Sequence, residues 1–77
     1  MEYEFIDNDV VIATKDCEFY TFKKGDTGKI NGVLPRFIVV IYQVSWDNGG
    51  ISQAESTEIR KATLVEKAKR HLIKKKH

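Results

Sequence analysis

His71, His77, Cys17 and the pair Asp7 and Asp9 are the residues of this 77-residue chain whose types could do chemistry. Two histidines grip a metal from one helical face when they are four apart. His71 and His77 are six apart, and no carboxylate or cysteine is spaced to complete a site. Cys17 is the only cysteine, which excludes an intrachain disulfide. A reactive thiol needs a nearby base, whereas Asp16 and Glu18 flank Cys17 and disfavour the thiolate. Asp7 and Asp9 enclose Asn8 just ahead of a β-branched run, where turn formation explains them more simply than paired acid–base work. Gly25, Gly28 and Gly32 lack the strand-to-helix context of a phosphate loop. With no nucleophile–base pair and no metal signature, the chain reads as non-enzymatic, without cofactor or metal.

Binding chemistry is better represented. Phe19, Tyr20, Phe22, Tyr42 and Trp46 admit two readings. They fill the core of a small domain, which needs every aromatic it has. Alternatively Tyr20, Phe22 and Trp46 form a surface platform that holds a peptide or stacks bases. Charge is divided along the chain. Residues 1–59 carry five Lys/Arg against ten Asp/Glu, a net of −5, and residues 60–77 carry eight against one, a net of +7. The two sum to the overall +2. Such a split bears on partners and fields, not on fold.

Two function classes follow. In the favoured one the chain is a protein-interaction module, an adaptor or inhibitor. Glu2, Glu4, Asp16 and Glu18, with Tyr20, Phe22 and Trp46, meet a basic partner through loops and an acidic surface, to which Asp7 and Asp9 add. In the alternative, Lys67, Lys69, Arg70, Lys74, Lys75 and Lys76 contact nucleic-acid phosphates, in a salt-sensitive and sequence-indifferent way. The basic tail also has a plain explanation, as a solvated helix face that neutralises its own domain. No base-reading motif is present.

The composition, 42% hydrophobic and 31% charged, is that of a folded domain. Length and the absence of repeats predict one domain over 1–77. No apolar run approaches the ~20 residues that span a bilayer, and the acidic start is unlike a secretory signal. A reduced cytoplasmic setting and no membrane partner are the expectation.

The elements that would position these residues are mainly strands. Val10–Thr14 is a β-branched run behind a turn. Residues 15–27 read as a long loop, and Gly28–Val33 as a second strand punctuated by Asn31-Gly32 and Pro35. Phe37–Trp46 is the longest strand candidate, with Ile38, Val40, Tyr42, Val44 and Trp46 predicted to face the core. Asn48-Gly49 suits a two-residue hairpin turn with positive φ at both positions. Ile51–Ala54 returns, Glu55–Thr57 turns, and Glu58–Ala62 makes a last strand. Thr63-Leu64-Val65-Glu66 fits a capping box for a helix to about Lys75. Its apolar side (Leu64, Val65, Ala68, Leu72) is expected to cover Phe37, Val39 and Ile41, with Glu66 and Arg70 paired along it.

Lys24-Gly25-Asp26-Thr27-Gly28-Lys29-Ile30 and Tyr42-Gln43-Val44-Ser45-Trp46-Asp47-Asn48-Gly49-Gly50 resemble the turn-into-strand and hairpin segments of SH3-like barrels, including small bacterial and phage forms and KOW-like domains of translation and transcription proteins. The resemblance spans residues 8–62 and implies a mainly β, five-stranded SH3-like barrel, with the helix over 63–76 added outside it. Peptide-binding SH3 domains carry paired aromatics in the first long loop, a Trp-Trp step and a Pro-Tyr step. This chain has Tyr20 and Phe22, a single Trp46 and no Pro-Tyr. The KOW-like likeness implies RNA, against an acidic body. The fold hosts unrelated activities, so the resemblance speaks to architecture rather than function.

Overall fold

The computed structural model describes residues 3–17 and 22–75, the last three of these as helix backbone alone. The chain is mainly β. Strands β1 (Val10–Ala13), β2 (Thr27–Pro35), β3 (Val40–Trp46), β4 (Ile51–Glu55) and β5 (Ile59–Lys61) form one antiparallel sheet, and helix α1 (Leu64–Lys75) follows. The sheet order is β4-β3-β2-β1-β5. A 3-10 turn, Ser56–Glu58, links the two outer strands β4 and β5.

The inward face of β3 follows its alternation: Tyr42, Val44 and Trp46 are buried. They meet Val11 and Ala13 of β1, Ile30 of β2, Ala54 of β4 and Ile59 of β5 in one cluster, joined by Phe5 and Phe22 from the flanking segments. Phe5 sets its ring edge-on to Tyr42 at 5.0 Å between centroids. The Tyr42 hydroxyl accepts the Glu4 N–H at 3.1 Å. The approach to β1 is fixed by the turn that Asp7, Asn8 and Asp9 make. Asn8 takes a positive φ of 75°, a conformation its short polar side chain tolerates. Asp9 Oδ2 accepts the Ile6 N–H at 3.0 Å.

The two glycines of the Gly-Asp-x-Gly segment do different jobs. Gly25 sits at φ +94° in the turn closed by the Asp26 N–H on the Lys23 carbonyl. Gly28 lies where β3 crosses closely: a Cβ there would stand 2.7 Å from Val44 Cγ1 and 2.9 Å from the Ser45 carbonyl oxygen.

Three expectations about the strands are corrected. β2 does not stop at Val33. It runs to Pro35 by absorbing Asn31-Gly32 as a bulge, with Ile30 paired to Val44 and Gly32 to Gln43. β3 starts at Val40, not Phe37. Residues 36–39 form the β2–β3 tip, closed by the Arg36 N–H on the Val39 carbonyl at 2.8 Å. The apolar run there has β propensity but no neighbouring strand to pair with. The β3–β4 turn is a three-residue loop. The Trp46 N–H bonds the Gly50 carbonyl, and Gly49 alone takes a positive φ, +99°.

The helix start is as read. The Glu66 N–H donates to Thr63 Oγ1 at 3.1 Å and the Thr63 N–H to Glu66 Oε1 at 2.8 Å, a reciprocal capping box. Its docking is not as read. Leu64, Val65 and Leu72 are exposed, and so are Phe37 and Val39, which that face was expected to cover.

Candidate interaction surfaces

Phe22 and Trp46 belong to the core. They are 1% and 3% exposed and stack at 4.7 Å between centroids, 27° from parallel. The Trp46 indole N–H donates to Ser52 Oγ at 2.7 Å, which satisfies its one polar group. Of the two readings of the aromatics, packing holds for this pair, so neither is presented to a partner. Tyr20, with Glu2, Glu18 and Phe19, lies outside the described residues.

The acidic candidates are spread over loops. Glu4, Asp7 and Asp16 are exposed and Asp9 is half-buried. Asp16 pins its own loop, accepting the Lys24 N–H at 2.8 Å, and Asp26 accepts the Lys23 N–H at 2.9 Å. Among the described residues no group of three or more His, Cys, Asp or Glu could hold a metal ion. Cys17 packs against the core, and its N–H bonds the Phe22 carbonyl at 2.9 Å. His71 is exposed on the helix, and His77 is outside the described residues.

Among the described residues, apart from the scattered Ile6 and Ile51, two surfaces carry neighbouring apolar side chains into solvent, and the sequence reading missed both. The first is the β2–β3 tip. Phe37 is 102% exposed and Ile38 84%. Pro35, Arg36, Phe37, Ile38, Val39 and Val40 surround a shallow open depression there. Because Ile41 pairs with Glu55, the end of β4 and the following turn bring Glu55 and Glu58 to this end of the sheet.

The second is the helix, which meets the sheet with its charged side. Arg70 reaches the β3–β4 loop and forks onto Asp47, with Nε on Oδ2 at 2.8 Å and Nη2 on Oδ1 at 2.9 Å. Asp47 also accepts the Thr27 hydroxyl. Glu66 pairs with Arg60 of β5 through two bonds of 2.8 and 2.9 Å, not with Arg70. Arg60, then the Thr63 N–H, hold the Glu66 carboxyl at about 2, far below its ordinary value. The same contact pushes the Arg60 guanidinium up.

On a helical projection Glu66 and Arg70 fall opposite the arc of Leu64, Val65, Ala68 and Leu72. Two ion pairs therefore turn the polar side inward and leave the apolar arc outward, with Leu64 83% exposed. Of the phosphate-binding candidates, Arg70 is committed to Asp47, whereas Lys67 and Lys69 are exposed. The side chains of Lys74 and Lys75, and all of Lys76, lie outside the described residues. A periodicity count finds the apolar arc but carries no sign of which side docks.

The helix surface and the β2–β3 tip lie apart. Asp47 follows the last residue of β3 and the tip precedes its first, so the length of the strand, roughly 20 Å, separates them. Comparison with known protein families, with curated proteins and with solved structures gives no match, and the reading of function rests on these two surfaces.

Proposed function

We propose that the chain is a non-enzymatic protein-interaction module that engages its partner through the β2–β3 tip. The observation that carries this is the exposure of Phe37 and Ile38 on a hydrogen-bonded turn. Adjacent apolar side chains held in water at an ordered tip favour burial in a partner's cleft. Glu55 and Glu58 at the same end, and the net −5 of residues 1–59, suit a cleft with a basic rim. The acidic interaction surface expected from the sequence is kept in this reading, with Phe37 and Ile38 in place of Phe22 and Trp46 as its apolar contacts.

The test uses the full chain and the double variant Phe37→Ser, Ile38→Ser as baits in extract of the source cell, followed by rebinding with the purified captured protein. A protein that rebinds directly and loses at least about tenfold in affinity to the variant, roughly 1.4 kcal/mol, supports the reading. Capture of nothing, or rebinding that the double variant leaves unchanged, refutes it.

A further inference from the structure

We infer that helix α1 is an interfacial element that lays its outward apolar arc on an anionic lipid surface. The inference is independent of the tip. It starts from the orientation of the helix: the Arg70–Asp47 and Glu66–Arg60 pairs hold its charged side to the sheet, so Leu64, Val65 and Leu72 face away from the body.

Charge complementarity selects the occupant. Exposed Lys67 and Lys69 accompany the arc, and residues 60–77 sum to +7. A second copy docked helix to helix would set like charge against like, since residues 64–75 carry five Lys/Arg against Glu66 alone, a net of +4. Nucleic-acid phosphates would satisfy the lysines and leave Leu64, Val65 and Leu72 in water. An anionic bilayer takes both. Its headgroups attract the lysines while the acyl boundary receives the apolar arc, the pattern of helices that lie in the membrane plane. The acidic body, at −5, is repelled by the same surface, so the charge split orients the molecule with its helix down. No described helix is long and apolar enough to cross a membrane, and lying on one requires no such length. The sequence expectation of no membrane partner rested on the lack of a span, which does not bear on this mode.

The test is flotation of the full chain with vesicles of phosphatidylcholine alone and of phosphatidylcholine mixed with phosphatidylserine. The expected result is co-flotation with the mixed vesicles only, weakened by added salt. Leu64→Gln with Leu72→Gln should lower the bound fraction at least about tenfold, and Lys67→Glu with Lys69→Glu should do so too. Both pairs are exposed, and circular dichroism verifies that each variant stays folded. Phe37→Ser with Ile38→Ser should float like the parent, which separates failure here from failure of the tip.

The inference is overturned by no flotation with the anionic vesicles, by equal flotation with neutral ones, by flotation indifferent to Leu64→Gln with Leu72→Gln, or by binding to random duplex DNA in the absence of any vesicle binding. Concentration-dependent dimerisation that those two leucine changes abolish, without vesicle binding, also overturns it in favour of a second copy.

Discussion

Arg70 and Asp47, 23 residues apart in sequence, hold each other through two parallel bonds of 2.8 and 2.9 Å. The Arg70 side chain is 15% exposed and that of Asp47 25%, so solvent screens the pair only in part. A planar guanidinium meeting both carboxylate oxygens fixes direction as well as distance. This contact decides which side of the helix the rest of the molecule sees.

Replacing Arg70 by Lys keeps the charge and loses the fork. Amide exchange across 64–75 should then quicken, while the strands keep their protection. Asp47→Ala should cost more, about 1–2 kcal/mol, because it also strips the Thr27 hydroxyl of its acceptor. Exchange unchanged in both variants would show that the tether does not hold the helix.

Gly28→Ala and Gly25→Ala should both destabilise, for different reasons. At Gly28 the new methyl meets Val44 Cγ1 at 2.7 Å and the Ser45 carbonyl at 2.9 Å, so β2 and β3 must part, at a cost of about 1–3 kcal/mol. At Gly25 there is open space, and the cost is about 1–2 kcal/mol of left-handed backbone. Urea unfolding distinguishes the causes. Gly25→Asn should recover most of the loss at its position, and Gly28→Asn none.

Phe37→Ser should change stability by less than about 0.5 kcal/mol, since its side chain is already in water. Phe22→Ala should cost about 3–5 kcal/mol, from a cavity beside Trp46. Comparable costs at the two sites would contradict the division between tip and core.

Helix stability should fall in acid. The Glu66 carboxyl is held at about 2 in the fold, against ~4.3 for an unfolded glutamate. A depressed carboxyl contributes fully above the unfolded value, and the contribution drains as pH falls from ~4.3 to about 2. Arg60→Gln removes the first cause of the depression, so the far-ultraviolet dichroism of that variant should depend less on pH across this window. An identical acid limb in parent and variant would rule Arg60 out as the cause.

Local signals survive translation from sequence to structure. Thr63 and Glu66 find each other three residues apart, and the capping box forms as spelled. The alternation of Tyr42, Val44 and Trp46 puts one face inward, and the mainly β architecture with a single helix follows. What escapes is set by distant partners. Phe37 and Ile38 have strand-forming side chains and no neighbour to pair with. Arg70 leaves its helical neighbour Glu66 for Asp47 in a loop, and Glu66 turns back to Arg60. The acidic residues are legible as turn formers, as Asp9 and Asp26 are in accepting the Ile6 and Lys23 N–H groups. The exposed surfaces are what remains once these distant pairings are made, which is why composition does not reveal them.

The bulge at Asn31 sets the pairing rhythm along β2. Ile30 opposes inward Val44 and Val33 opposes inward Tyr42, an odd number of steps apart on β2 and an even number on β3. Deleting Asn31 would restore a plain two-residue rhythm and leave both side chains facing the same way. Inward pairing on both sides of the bulge is thus compatible with a β2 one residue shorter, and what the extra residue adds is a local bend and twist of the strand.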